Sequence, residues 1–222
     1  MFAQHPLFLA VMTGFFSGLL LSVPVGPVNL TIIHEGARRG FRWAVMIALG
    51  AISMDLIFCT IAFTGFASFF GNRLVKAIME LSSFVFLLYL GVRFVRAKSL
   101  PATHRLEERI EEKLHPHSAF MIGFVRVMGN PGVLLLWIVI AANFISRDWV
   151  EPTGPTKFFF ILGVAIGATL WFLGLSYAVS RRHKMLTEKT LLRIEHFSGI
   201  GLITLALIHG ARIVWQMTQG KI

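Results

Sequence analysis

The sequence predicts an all-α integral membrane protein with six transmembrane helices, built as two inverted three-helix repeats with helices 1 and 4 broken. Three observations point to this fold class. Of the 222 residues, 55% are hydrophobic and 14% are charged, the apolar residues form six long segments, and two of these segments are interrupted by proline. A soluble domain has roughly 25% charged residues, so the composition argues against a soluble enzyme, a nucleic-acid-binding protein and a disordered regulator.

Six apolar segments are each long enough to cross the membrane, which takes about 20 residues of helix. They cover residues 7–33, 43–70, 74–95, 119–145, 158–179 and 191–217. The connectors are short except for residues 99–117, whose alternating acidic and basic side chains predict a solvated, charged cytoplasmic linker. We therefore divide the chain into a first three-helix repeat at 1–98, this linker, and a second three-helix repeat at 118–222.

The basic side chains predict the orientation of the chain in the membrane. The net charge is +10, and cytoplasmic loops of membrane proteins carry an excess of Lys and Arg. The connectors after the first, third and fifth segments hold most of the 21 basic residues. The chain is thus predicted to have these three connectors in the cytoplasm and both termini outside.

Short matches between the two halves indicate an internal repeat. Residues 24–29 correspond to 129–133, Gly50 to Gly163, and 91–95 to 210–214, in the same order. Each half holds three spans, an odd number, so the second half must enter the membrane from the opposite side. This is the inverted-repeat arrangement of secondary transporters.

Prolines interrupt the first and fourth segments. Proline removes a backbone donor and clashes with the preceding helical turn, and backbone freed at membrane depth is tolerated only inside protein or beside a watery cavity. A helix that starts near Pro27 would direct its positive N-terminal end at a carboxylate or another anion. A packing kink would explain either break alone, but two breaks at equivalent positions favour a substrate site. The predicted substrate-binding residues are Pro24, Gly26, Pro27, Asn29, Asn130 and Pro131.

Asp55 is an acidic residue deep in the second apolar segment. A carboxylate at such depth costs about 2.5–3.5 kcal/mol on insertion scales, so it must face a cavity, find a partner or be protonated. We predict that it couples transport to a proton or cation. The structural alternative is a hydrogen bond to another span, for which Asn143, Thr169 and Ser82 are the candidates.

Three other charged residues are weaker candidates. Glu35 lies beside two arginines at the cytoplasmic end of the first segment, which predicts an interfacial salt bridge. Glu80 is close enough to the outer interface to be hydrated. Arg126 precedes the second break, where it either pairs with Asp55 or an anionic substrate, or anchors its helix at the cytoplasmic side.

The sequence contains none of the motifs GxxxxGK[ST], GxSxG and HExxH. Its eight histidines and Cys59 form no metal-ligand spacing, and its 21 phenylalanines and five tryptophans are assigned to lipid contact or packing. We predict no catalytic residue, no metal and no cofactor, and therefore a protein that is not an enzyme.

Several motifs carry a family resemblance. They are SVPVGPVNL at 22–30, GARRG at 36–40, ALGA at 48–51 followed by Asp55, LYLGVR at 88–93, and Asn130-Pro131 after Gly123-Phe124. Together they resemble the LysE-type (LysE/RhtB) amino-acid exporters over essentially the whole chain. The resemblance implies a six-helix inner-membrane secondary transporter that exports amino acids or related small metabolites, driven by the proton motive force. It also implies that the proline-glycine motif, Asp55, Asn130 and Pro131 form the central site.

The predicted partners are a small-molecule substrate such as an amino acid, a proton or cation gradient, and membrane lipid, with no nucleic acid; a homodimer is left open. Export of a metal cation is the alternative within transport, although intramembrane acids are sparse. A membrane enzyme or a non-transporting assembly factor is the alternative from another class. An enzyme would need a cluster of nucleophile, base or metal ligands at one membrane depth, which the sequence does not provide.

Overall fold

A computed structural model describes residues 6–24, 26–65, 73–98, 118–146, 154–182 and 187–218. These residues form eight α-helices and no β-strand. The helices are α1 (Pro6–Ser22), α2 (Pro27–Arg39), α3 (Phe41–Gly65), α4 (Arg73–Val95), α5 (Ala119–Met128), α6 (Pro131–Ser146), α7 (Gly154–Arg182) and α8 (Glu188–Thr218). The predicted all-helical class is confirmed, whereas the charged linker at 99–117 lies outside the described residues.

Three to five membrane spans are supported by helix length and composition. The helices α3, α7 and α8 are each long and apolar enough to cross a membrane alone. The pairs α1–α2 and α5–α6 pass the same test when each bent pair is counted as one span. The remaining predicted span, the third apolar segment at 74–95, coincides with α4, and within its described part Phe84–Val95 forms a shorter apolar helix.

Both predicted helix breaks are present. The axis bends by 70° between α1 and α2 and by 65° between α5 and α6. The helix α1 ends at Ser22, before Pro24, and α2 begins at Pro27, because proline disrupts the preceding helical turn but fits the first position of a new helix. The helix α6 likewise begins at Pro131. The local chemistry of proline therefore sets both breaks.

The upstream half of each broken pair packs against a helix of the other half of the chain. Helix α1 lies on α7, α5 lies on α3, and α4 lies on α8. Glycines bring the first two pairs into backbone contact: a Cβ at Gly14 would overlap the backbone of Phe160, and one at Gly50 would overlap that of Phe120. Small residues permit such close approach between membrane helices.

Two apolar clusters flank the breaks. One is built around Trp137, Phe63 and Phe160, which are fully buried. The other joins Ile32 of α2 to α3 and to Val179 of α7. Because α3 and α7 contribute to these clusters and contact each other, they form the centre of the helix assembly, and the two breaks lie against them.

Candidate functional site

The break between α1 and α2, here called break one, is bridged by the side chain of Asn29. Its amide nitrogen Nδ2 donates to the backbone oxygen of Ser22 at 3.0 Å and to that of Pro24 at 2.6 Å. Its oxygen Oδ1 accepts from the indole nitrogen Nε1 of Trp171 on α7 at 3.1 Å. Asn29 is buried, so its amide supplies partners to backbone carbonyls that the prolines have removed from the helical ladder.

The N-terminus of α2 carries no side-chain cap from any described residue. Gly26 precedes it in extended backbone, with its own N–H donating to the oxygen of Pro24 at 2.8 Å. The first N–H groups of a helix have no intrahelical acceptor and lie at the positive end of its dipole. This end of α2 is therefore suited to hold the carboxylate of a ligand.

The break between α5 and α6, here called break two, is closed by its own asparagine. The oxygen Oδ1 of Asn130 accepts from the backbone N–H of Gly132 at 3.0 Å. The backbone oxygen of Asn130 accepts from the N–H of Val133 at 3.1 Å. Asn130 thus caps the N-terminus of α6 in the way that asparagine commonly caps helices.

Asp55 lies on α3 and is bonded to a residue of α6. Its oxygen Oδ1 accepts from the indole nitrogen Nε1 of Trp137 at 2.7 Å, and Trp137 is 1% exposed. The structural alternative for Asp55, a hydrogen bond to another helix, is therefore present. Its partner is Trp137 rather than Thr169 or Ser82, and the side chain of Asn143 lies outside the described part of the chain.

A cavity of about 120 Å³ lies between the two breaks. Its walls come from break one, α3, the end of α5, α6 and α7. The cavity is lined by Leu21, Ser22, Pro24, Gly26, Pro27, Val28, Asn29, Ala51, Asp55, Val127, Asn130, Val133, Leu136, Trp137 and Phe172. The structure thus gathers Asp55 and five of the six predicted substrate-binding residues around one space, and Pro131 adjoins Asn130 without lining the cavity.

The weaker candidates lie elsewhere. Arg126 is on α5 but does not line the cavity, and the side chain of Glu80 is not among those described. Glu35 forms the expected salt bridge, with its Oε2 at 2.9 Å from Nε of Arg39. The guanidinium of Arg39 also stacks over the ring of Trp43 at 4.5 Å, which fixes the end of α2 outside the cavity.

The described residues contain no group of three or more His, Cys, Asp or Glu side chains arranged to hold a metal ion. Asp55 lies near Cys59 on α3, one helical turn further on, and Cys59 is fully buried. The cavity therefore presents the chemistry of a small polar ligand: one carboxylate, one helix N-terminus and apolar walls.

Two residues of the site, Trp137 and Trp171, were missed by sequence reasoning, which assigned the tryptophans to lipid contact or packing. Each donates its indole N–H to a residue across a large sequence separation, 82 residues for Trp137 and 142 for Trp171. A tryptophan in an apolar helix carries a donor that needs a partner when it is buried. This need for an acceptor could have indicated that a buried tryptophan takes part in a polar site, although it does not identify the acceptor.

Comparison with known proteins gives a consistent result. The family model described as LysE type translocator matches residues 19–209. The putative amino acid efflux protein YcgF of Bacillus subtilis is 26% identical over 90% of this chain and 94% of its own length. The arginine exporter protein ArgO of Shigella flexneri is 30% identical over 73% of this chain and 76% of its own.

A third relative carries a different description. The chemotactic transduction protein ChpE of Pseudomonas aeruginosa is 24% identical over 69% of this chain and 74% of its own length. No solved structure matches the chain.

Proposed function

Because the chain belongs to the LysE type translocator family, we propose that it is a secondary transporter that exports amino acids across the inner membrane by proton antiport. Membership of this family makes it a multi-pass membrane transporter rather than an enzyme. The observation that carries the proposal is the cavity that both helix breaks and Asp55 line. A discontinuous helix at the centre of a transporter is a common place for a substrate site.

Substrate recognition uses the two charges of an amino acid. The α-carboxylate binds the N-terminal N–H groups of α2, which follow Pro27 and have no side-chain cap from the described residues. The α-ammonium group binds the carboxylate of Asp55, which lines the same cavity. Asn29 and Asn130 fix the backbone at the two breaks through the hydrogen bonds of their side chains.

Proton coupling follows from competition for Asp55. A carboxylate in this site can be neutralised by a proton or paired with the substrate ammonium group, but the two states exclude each other. Trp137 donates to Oδ1 of Asp55 and orients the carboxylate. The carboxylate oxygens of Asp55 would release the substrate outside, take up a proton there and release that proton inside. The exchange of one substrate for one proton is antiport.

The inverted three-helix repeat is the arrangement that we propose for alternating access. Its support is the crossed packing, in which α1 of the first half lies on α7 and α5 of the second half lies on α3. The similar bends of 70° and 65° at the two breaks also fit related halves. Rocking of one half against the other would open the cavity to each side in turn.

The distribution of Lys and Arg supports an orientation with connectors one, three and five in the cytoplasm and both termini outside. With this orientation, Glu35 and Arg39 at the end of α2 lie at the cytoplasmic face. Labelling of single cysteines placed near each terminus, in intact cells and in inverted vesicles, tests this topology.

Transport by proteoliposomes tests the function. Vesicles that contain the purified chain and a panel of labelled amino acids are expected to release at least one of them, faster when the pH gradient is imposed. Asp55→Asn removes the charge but keeps an oxygen that can accept from Trp137. We expect it to slow release by about 30-fold or more, because loss of one partner of a buried charge pair costs about 2 kcal/mol or more.

Glu35→Gln is the matched control, since it removes a carboxylate that is paired with Arg39 outside the cavity. It is expected to leave release unchanged. Gradient-driven release by Asp55→Asn at the wild-type rate would contradict the coupling role. Release of cadmium, with no amino acid released, would favour the metal-cation alternative.

A further inference from the structure

We propose that the transported amino acid is small and has an uncharged, largely apolar side chain. This inference rests on the proposed function and concerns the same cavity. It sets the chain apart from the relatives named as arginine exporters. Three features of the described site carry it: the number of charges on the cavity wall, the chemistry of the remaining wall, and the size of the space.

The cavity wall carries one charged side chain, whereas an amino acid carries two charges on its α-groups and, in some cases, a third on its side chain. Of the lining residues that the structure describes, Asp55 is the charged one. In the proposed binding mode, Asp55 pairs with the α-ammonium group and the end of α2 pairs with the α-carboxylate. A guanidinium or ammonium group on the substrate side chain would then be desolvated with no anionic partner, which strongly disfavours binding.

A carboxylate on the substrate side chain is disfavoured for a related reason. The N-terminus of α6 would be the second place for an anion, but Asn130 caps it through the N–H of Gly132 at 3.0 Å. Asp55 would in addition repel the second carboxylate. Acidic amino acids therefore have no matching group in this cavity.

Most of the rest of the wall is apolar. Leu21, Val127, Val133, Leu136 and Phe172 line it from α1, α5, α6 and α7. Such a wall favours a hydrocarbon side chain, whose transfer from water is favourable by about 0.8 kcal/mol per CH₂ group. Its apolar side chains give no hydrogen-bond partner to a long polar side chain.

The size of the cavity favours a small substrate in this conformation. Its volume is about 120 Å³, whereas a cavity of about 150 Å³ holds benzene, a ligand of about six non-hydrogen atoms. Alanine is of that size and valine is slightly larger, while arginine has about twice as many atoms. The space fits the smaller amino acids without rearrangement.

Counterflow in proteoliposomes tests the inference on the wild-type chain. Vesicles are loaded in turn with alanine, valine, arginine or glutamate, and uptake of the same labelled amino acid is measured. We expect alanine or valine to exchange at least about tenfold faster than arginine and glutamate, since unpartnered polar groups give discrimination of this order or more.

A pair of variants tests the charge argument directly. Val133→Asp adds a second carboxylate to the wall and is expected to raise arginine exchange relative to valine exchange by about tenfold or more. Val133→Asn has nearly the same shape without the charge and is expected to leave that ratio close to its wild-type value. The ratio is measured within each variant, so a general loss of folded protein does not alter it.

The outcomes separate the inference from the proposed function. Arginine exchange as fast as that of alanine and valine would overturn the inference and leave amino-acid export standing. Equal ratios in Val133→Asp and Val133→Asn would overturn the charge argument. Exchange of no amino acid at all would instead overturn the proposed function.

Discussion

Break one and break two bend the chain by nearly the same angle, 70° and 65°. Their asparagine side chains nevertheless bond in opposite directions along the chain. At break one, Asn29 donates its amide N–H groups back to the carbonyls of Ser22 and Pro24. At break two, Asn130 accepts from the N–H of Gly132 ahead of it. The first side chain satisfies the end of the helix before the break, and the second satisfies the start of the helix after it.

This difference bears on the proposed place of the ligand. The N–H groups at the start of α6 are partly satisfied by Asn130, whereas no described side chain caps the start of α2. A free helix N-terminus beside a cavity attracts a carboxylate. We therefore propose that break one contacts the ligand directly and that break two supports the site, and the following pairs of substitutions compare the two breaks position by position.

Replacing each asparagine with alanine is expected to give the largest difference between the two breaks, measured as the free energy of unfolding. Asn29→Ala removes two donors and one acceptor from buried partners, and each buried group left unsatisfied costs about 1–3 kcal/mol. We expect a loss of about 3 kcal/mol in the free energy of unfolding. Asn130→Ala removes one cap, which costs about 1 kcal/mol. Unfolding of both variants by denaturant in detergent micelles measures the two values, and equal losses would remove the distinction between the breaks.

Removing each of the two indole N–H donors is expected to give the next largest difference, measured as the transport rate. Trp137→Phe removes the N–H that Asp55 accepts, and hydrogen bonds to charged groups contribute about 1.5–3 kcal/mol. We expect transport to slow by about tenfold or more. Trp171→Phe removes the N–H that Asn29 accepts, a neutral bond of about 0.5–1.5 kcal/mol, and is expected to slow transport less.

Trp215→Phe is the control for this pair, because the side chain of Trp215 is exposed on α8. It is expected to leave the transport rate unchanged. A larger effect from Trp171→Phe than from Trp137→Phe would mean that break one depends on its contact with α7 more than the site depends on Asp55.

Adding a methyl group at the glycine of each break is expected to give the smallest difference, with transport affected at one break and stability at the other. A Cβ at Gly26 would meet nothing within 4 Å, and one at Gly132 would meet Oδ1 of Asn130 at 3.0 Å. Gly26 lines the cavity, where the absence of a side chain lets a ligand approach the backbone. Gly26→Ala is therefore expected to keep the stability of the protein and to slow transport by about threefold to tenfold, in line with a loss of about 1 kcal/mol of binding.

Gly132→Ala is the matched change at break two. It presses on the cap, so we expect a small loss of stability and little change in transport per folded molecule. Transport assays on equal amounts of folded protein distinguish the two effects. Slowing by Gly132→Ala but not by Gly26→Ala would place the substrate contact at break two.

The sequence predicted the features that local chemistry controls. Proline cannot continue a helix whose backbone donor it removes, so both breaks were predicted within a few residues, as were the helices between them. The position of Asp55 within an apolar helix was equally evident. These predictions needed no knowledge of which helices touch.

Features that depend on tertiary contacts were not predictable in the same way. Trp137 and Asp55 lie on helices whose pairing the apolar pattern does not specify. In the sequence, a tryptophan that contacts lipid cannot be told from one that donates to a carboxylate. The opposite uses of Asn29 and Asn130 also depend on side-chain direction, which sequence alone does not give.

The crossed packing has a consequence for how the protein is made. Helix α1 is the first described element to leave the ribosome, but its glycine face rests on α7, and a Cβ at Gly18 would overlap the backbone of Val164. Since chains are synthesised from the N-terminus, five further described helices, α2 to α6, are made between α1 and α7. The contact between the glycine face of α1 and α7 can therefore form only after most of the chain has been synthesised.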